Sequence, residues 1–322
     1  MKKWILSALL ALFTVIFPAS AEQYNVIDLK SIKYRLLYES YQNGNWDIFI
    51  INADGTGKKN ITGTKNIHEM YPKVSPDGKK FVCVIDTGEG RNRKRDLYLM
   101  NIDGSGKKMI SDHGRQPCWS PDGRYIAFTK SESTRRFSME SWSTKGLFIY
   151  DTSTGEIREH RNKKLEHLYN LCWAPDGKYI TATVLGGMGY RHTNIGIDVN
   201  GTRYFRLNVV GCRPEFSPDG NMIGWGRSDT EFHLAKINMN KTVPVSEKDK
   251  YSFLHVEKGY EVYHLDWSPD GKYIAFAFGP DGAQEVGGTA AGWNICIAEI
   301  ATGKWQMITF DGNQNKEPDW IP

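Results

Sequence analysis

The chain has 322 residues, 40% of them hydrophobic, with 32 Gly and 13 Pro, which excludes a disordered or collagen-like polymer and leaves a globular protein with a sizeable core. Its 41 Lys and Arg against 37 Asp and Glu give a net charge of +4, too small a surplus for the basic footprint of a nucleic-acid binder. At roughly 100–200 residues per domain, length alone suggests two domains.

The chain begins with the three parts of a secretory signal in order: the basic pair Lys2 and Lys3, an apolar run over 4–17, and the small-residue site Ala19-Ser20-Ala21. A cut after Ala21 removes two lysines and no acid, so the net charge falls to +2. The apolar run is short for a bilayer span and no later segment is long and apolar enough, so a periplasmic or secreted protein that does not span the membrane is expected. Residues 22–33 read as a lead-in. The five cysteines, Cys83, Cys118, Cys172, Cys212 and Cys296, are an odd number, which leaves at least one thiol unpaired in an oxidising compartment. None lies in a Cys-x-x-Cys pair, so neither a zinc knuckle nor a redox motif is expected, and they read as buried core residues.

From residue 34 onward one phrase recurs: Ser75-Pro76-Asp77-Gly78, Ser120-Pro121-Asp122-Gly123, Ala174-Pro175-Asp176-Gly177, Ser217-Pro218-Asp219-Gly220 and Ser268-Pro269-Asp270-Gly271, with a truncated copy at Trp320-Ile321-Pro322. The prolines are 45, 54, 43, 51 and 53 residues apart, the spacing of a four-stranded repeat. The phrase is the hairpin turn between two strands: Pro presets a torsion, Asp or Ser bonds nearby backbone, and Gly accepts the exit geometry. A strand ending in Val74, Trp119, Trp173, Phe216, Trp267 or Trp320 precedes each turn. Third strands are expected at 47–50, 96–99, 146–149, 194–197, 232–235 and 294–297. Six third strands mean six sheets, and the pattern predicts an all-β, six-bladed β-propeller of four-stranded antiparallel blades over 34–322. The first strand, 34–39, has no turn phrase of its own, and the last copy supplies only an innermost strand, 317–321. Their pairing would close the ring and remove the exposed edges.

The Trp-Ser-Pro-Asp-Gly-Arg/Lys-Tyr-Ile-Ala-Phe wording at 119–128 and 267–276 resembles the repeats of TolB-like propellers. That resemblance covers about 34–322 and implies the six-bladed fold and an envelope setting. TolB itself is a periplasmic component of the Tol-Pal system with an α/β domain ahead of its propeller. Here only 22–33 precede the first strand, so its TolA-binding segment and amino-terminal domain are expected to be absent.

Strands alternate in direction, so the connections from fourth to first strands and from second to third strands emerge on one face. Four positions before each turn serine stand Tyr71, Gln116, Asn170, Arg213, His264 and Glu317, all polar. Two positions before it stand Lys73, Cys118, Cys172, Glu215, Asp266 and Asp319. Period-two alternation puts both sets on the channel side and the Trp set on the other. The first set is the candidate ligand or partner site, the alternative being a hydrated channel with no specific ligand. Seven positions before the serine stand His68, His113, His167, Val210, Glu261 and Gln314; the three imidazoles with Glu261 could hold a divalent metal, or be solvated loop residues. His264, Glu261 and Tyr263 lie close enough in sequence to join such a site. The loops of blades two to four carry basic residues: Arg91, Arg93, Lys94, Arg95, Arg135, Arg136, Lys145 and Arg191, with Arg158, Arg161, Lys163 and Lys164 beside them, suiting an anionic glycan or acidic protein, or merely solvated. The Gly-rich stretches 186–189 and 287–292 follow no nucleotide-binding spacing.

No Gly-x-Ser-x-Gly elbow occurs, and the chain ends where a propeller-associated hydrolase domain would begin, so a prolyl-peptidase reading is not expected. Asp54-Gly55-Thr56-Gly57 and Asp103-Gly104-Ser105-Gly106 lack the spaced acids of a calcium loop and read as hairpin turns. Two functional classes remain. The first is a monomeric, cofactor-free, non-enzymatic scaffold binding an envelope protein or anionic polymer through the channel face. The alternative is a metal-dependent polysaccharide lyase, by fold-level analogy with oligogalacturonate lyases, with Arg213 or Tyr169 as base.

Overall fold

A computed structural model describes residues 27–88, 94–131, 144–281 and 291–322. The signal-like segment, Arg91, Arg93, Arg135 and Arg136 lie outside the described residues, as does most of 287–292. Six four-stranded antiparallel sheets form in chain order. Blade 1 joins β1 (Arg35–Gln42), β2 (Asn45–Asn52) and β3 (Lys59–Asn60) to the last strand of the chain. Blade 2 holds β4 (His68–Val74), β5 (Lys80–Thr87), β6 (Lys94–Asn101) and β7 (Lys108–Ser111). Blade 3 holds β8 (Gly114–Trp119), β9 (Tyr125–Ser131), β10 (Thr144–Asp151) and β11 (Ile157–Glu159), and blade 4 holds β12 (Leu168–Trp173), β13 (Tyr179–Leu185), β14 (His192–Asp198) and β15 (Tyr204–Arg206). Blade 5 holds β16 (Cys212–Phe216), β17 (Met222–Ser228), β18 (Glu231–Lys236) and β19 (Lys250–His255). Blade 6 holds β20 (Tyr260–Trp267), β21 (Tyr273–Pro280), β22 (Asn294–Glu299) and β23 (Trp305–Met307), and β24 (Gln314–Ile321) completes blade 1. Helical structure among the described residues is confined to 3-10 turns such as Leu29–Ser31 and Glu247–Asp249.

The ring closes as the truncated sixth repeat implies: β1 pairs antiparallel with β24, Leu36 opposite Trp320 and Arg35 opposite Ile321. Both strands run further than the expected 34–39 and 317–321, meeting out to Tyr41 opposite Gln314. The second strands are nearly continuous apolar runs because blades cover them on both faces; β13, for example, is buried from Tyr179 through Val184. Most outermost strands are short, and in β3 and β11 every residue is exposed, which blunts those sheet edges. Core packing follows the ring, with one buried apolar cluster at each blade boundary; Leu37, Ile48, Phe81 and Ile85 fill the first and Phe232, Leu265, Trp267 and Phe276 the fifth.

The repeated turns work as their residues dictate. In the second copy Gly123 N–H bonds Ser120 O at 2.9 Å, Ser120 Oγ donates to Asp122 Oδ1 at 2.6 Å, and the same Oγ accepts Tyr125 N–H at 2.8 Å. Gly123 exits at φ +70°, which favours glycine. Copies 75–80, 217–222 and 268–273 repeat this network. The Ala174 copy keeps the backbone turn and loses the hydroxyl.

Candidate functional site

Strict alternation along the innermost strands is where the sequence reading needs correction. Each strand carries a β-bulge at the same repeat position, so residues 71–72, 116–117, 170–171, 213–214, 264–265 and 317–318 each stand as a pair opposite a single residue of the partner strand. The first residue of every pair is left-handed: Tyr71 (φ 55°), Gln116 (54°), Asn170 (49°), Arg213 (60°), His264 (58°) and Glu317 (50°). Left-handed backbone is unfavourable by roughly 1–2 kcal/mol for an L side chain and recurs where a side chain is re-aimed near a site. The second residue is Pro72, Pro117, Pro214 or Pro318 in four copies, which suits a bulge position with no ladder bond to donate.

The six bulges bring Tyr71, Gln116, Asn170, Arg213, His264 and Glu317 around one central cavity of about 30 Å³, with Lys73 and Glu215 behind them. A cavity of that size has room for only a few waters, so these side chains narrow the channel here. Bulge amides are satisfied across blade gaps: Glu39 Oε2 accepts Tyr71 N–H at 2.7 Å, Gln116 Oε1 accepts Asn170 N–H at 2.7 Å, and Thr183 Oγ1 accepts Arg213 N–H at 2.9 Å. His264 Nε2 lies 2.9 Å from Glu317 Oε1, and Arg213 Nη1 lies 3.5 Å from the same oxygen while its guanidinium sits over the Tyr263 ring.

Burial, then repulsion from Arg213, pushes the His264 imidazole down to about 4, so it is neutral near pH 7. Burial raises Glu317, but His264 and Arg213 outweigh it and keep this carboxyl below its ordinary range. A neutral His264 donating Nε2–H to Glu317 leaves Nδ1 as an acceptor, and that atom is buried with no partner. Tyr71 Oη and Asn170 Oδ1 are likewise buried and unpartnered. The cavity therefore offers one hydroxyl, two bare acceptors and a guanidinium.

Behind this ring Lys73 Nζ lies 3.2 Å from Asp319, which also accepts Val74 N–H, and Asp266 Oδ2 accepts Trp320 N–H at 2.9 Å. Burial raises the carboxyl of Glu215 to about 7 and also raises Asp266 and Asp319. Burial pulls Lys73 down, yet the surrounding acids prevail and keep it protonated.

The histidines of the metal reading are not brought together. His68 Nδ1 accepts Trp46 N–H at 3.2 Å, His113 donates its backbone N–H to Asp96, His167 Nδ1 bonds Leu185 O at 3.1 Å, and Glu261 pairs in register with Gly279. Among the described residues no group of three or more His, Cys, Asp or Glu is placed to hold a metal. Neither candidate base is free to take a proton: burial raises the Tyr169 phenol, and the Arg213 guanidinium, which burial would lower, is held charged by Glu317. Arg95 is not a rim charge, since it is buried against Asp86 in a two-bond pair at 2.6 and 2.7 Å. Lys94, Lys145, Arg158, Arg161, Lys163, Lys164 and Arg191 are exposed. All five cysteines are unpaired thiols, four of them buried.

Sequence reasoning missed Glu39, Lys316 and Thr183, which sit beside the bulges. The mid-strand prolines were the signal, because Pro inside a strand marks a bulge or an edge.

This geometry defines a six-bladed β-propeller, a fold shared with TolB structures. TolB from Acinetobacter baumannii superposes with a TM-score of 0.66 at 18% identity, covering 90% of this chain and 67% of that one. A putative TolB from Agrobacterium tumefaciens gives 0.58 at 16% identity, over 90% and 99%. Dipeptidyl-peptidase 5 of Porphyromonas gingivalis is 27% identical over 311 aligned residues, 82% of this chain and 43% of the peptidase, so the chain spans less than half of that relative's length. No protein-family model matches the chain. No helix among the described residues is long and apolar enough to cross a membrane.

Proposed function

We propose that this protein is an extracytoplasmic, non-enzymatic binding scaffold whose channel face takes an envelope protein or an anionic envelope polymer. One observation carries the reading: six bulges aim six different side chains at one axis, and three of them end in buried polar atoms that have no partner within the chain. Such atoms are destabilising by about 1–3 kcal/mol each unless water or a ligand group bonds them, so they are ready hydrogen-bonding positions for a polar group that enters the mouth. The small central cavity fits a partner that rests on the mouth and inserts one polar group. Arg213, with Tyr71 and His264 beside it, supplies the anionic contact, and the exposed Lys94, Lys145, Arg161, Lys163, Lys164 and Arg191 extend the attraction outward. The signal-like 1–21 segment supports the compartment. The chain carries no Gly-x-Ser-x-Gly motif, so its own residues give no basis for serine-peptidase chemistry.

The test is affinity capture from a solubilised envelope fraction of the source cell, with an Arg213→Ala/His264→Ala double variant as the second arm. Its proper folding is checked by circular dichroism. The expected result is a protein or polymer retained by the parent and reduced roughly ten-fold or more on the variant, the scale of losing a charged hydrogen bond. Equal retention by both removes the channel face as the site.

A further inference from the structure

The turn face, opposite the channel-mouth connections, has one irregular blade boundary. At four boundaries the glycine of one turn nests against the proline of the turn before it: a Cβ on Gly78, Gly123, Gly220 or Gly271 would lie 3.3–3.8 Å from Pro322, Pro76, Pro175 or Pro218 respectively. At Gly177 such a Cβ would meet nothing within 4 Å, so the expected contact with Pro121 is missing. The tryptophans repeat the exception. Trp119, Trp267 and Trp320 donate their indole N–H to a carbonyl of the preceding blade, those of Lys73, Glu215 and Asp266. Trp173 donates instead to Gly177 O in its own turn at 3.1 Å. Both departures fall on the turn where alanine replaces serine. Between blades 3 and 4 they leave a cleft of about 370 Å³, within the span of small-ligand sites.

The cleft walls include Tyr125 and the largely buried Trp173, whose rings stack on each other 19° from parallel with centroids 6.5 Å apart, and the Arg124 guanidinium lies 5.0 Å from the Tyr125 ring centroid. The exposed Asp122, Asp176, Arg158 and Asn200 supply polar groups to the lining. Asp122 is held below the usual carboxylate range by the Ser120 hydroxyl, so it is ionised, and its Oδ1 is committed to the turn. Asp176 Oδ1 takes Lys178 N–H, and the second oxygen of each carboxylate remains for a ligand. A simple anion meets two carboxylates here and a simple cation meets Arg158. A neutral ring with an apolar C–H face and a rim of hydroxyls satisfies the apolar lining of Pro121, Pro175, Val199 and Tyr125 together with the acceptors and donors. We infer that the cleft between blades 3 and 4 is a carbohydrate-binding site for a neutral mono- or disaccharide. It shares no residue with the channel ring.

The experiment is saturation-transfer NMR on the full protein with glucose, galactose, N-acetylglucosamine and its β-1,4 disaccharide as probes, and choline and citrate as charged controls. Transfer to sugar ring protons is expected for at least one neutral probe. Asp176→Ala and Arg158→Ala alter exposed side chains and should each weaken that binding by roughly ten-fold. Arg213→Ala/His264→Ala should leave it unchanged, which separates this site from the channel. Silence from every sugar, preference for choline or citrate, or binding that survives both cleft variants overturns the assignment.

Discussion

Glu39 shows how a single buried group ties the channel to pH. It lies 4% exposed, accepts Tyr71 N–H, and stands in register with Lys316. Burial, with repulsion from Glu317, lifts its carboxyl to about 8 from an ordinary 4.5. The folded protein therefore keeps a proton that the unfolded chain has released, so this contribution is full below about pH 4.5 and is lost as pH rises through about 8. Glu39→Gln keeps an acceptor for Tyr71 and cannot ionise. Its fall in Tm between pH 6 and 9 should be shallower than the parent's in thermal melts, whereas parallel curves would show that Glu39 is not the group being titrated. His264, shifted the opposite way, contributes stability above its ordinary value that is lost as pH falls towards about 4. At this scale the sequence revealed which residues are polar and at which repeat position. It did not reveal Arg95, which sits in a basic run yet points inward to Asp86, because only the fold supplies the buried acid.

At the scale of elements, the hairpin turns were legible because their chemistry is local: serine, proline, aspartate and glycine each act within a few residues. Ser120→Ala removes the acceptor of Tyr125 N–H and should lower stability by about 1 kcal/mol. The reverse change at the defective turn, Ala174→Ser, gives Tyr179 N–H an acceptor and should raise stability by about 0.5–1 kcal/mol, both read from urea unfolding. A loss on Ala174→Ser would mean that Trp173 in its own-turn orientation excludes the hydroxyl. The innermost strands were half legible. The repeat marked the polar positions, but strict period two missed the bulge that aims them, which depends on strand register and on acceptors such as Thr183 in the neighbouring blade. Pro72, Pro117, Pro214 and Pro318 carried the hint, since each stands one place after the residue it helps to project.

At the scale of the molecule, the ring depends on its last strand. Removing 317–322 deletes Trp320 and Ile321, both buried, together with the Trp320 bond to Asp266 and the Asp319 pair with Lys73. Losing a buried aromatic side chain alone is destabilising by about 3–5 kcal/mol, a large share of a typical 5–15 kcal/mol. The truncated protein should therefore lose its cooperative melt or unfold at markedly lower temperature, and an unchanged melting curve would mean that the ring does not need the clasp. From the repeat of turns alone came the blade number, the strand order and the clasp between first and last strands, because periodic local chemistry propagates into architecture without long-range information. Length alone had pointed to two domains; the repeat replaced that with one ring of six blades. The near-neutral charge balance shrank to local features. Tertiary structure alone decided which polar atoms are left without partners, which histidines stay apart, and which blade boundary opens, since each depends on side chains from different blades meeting across a gap.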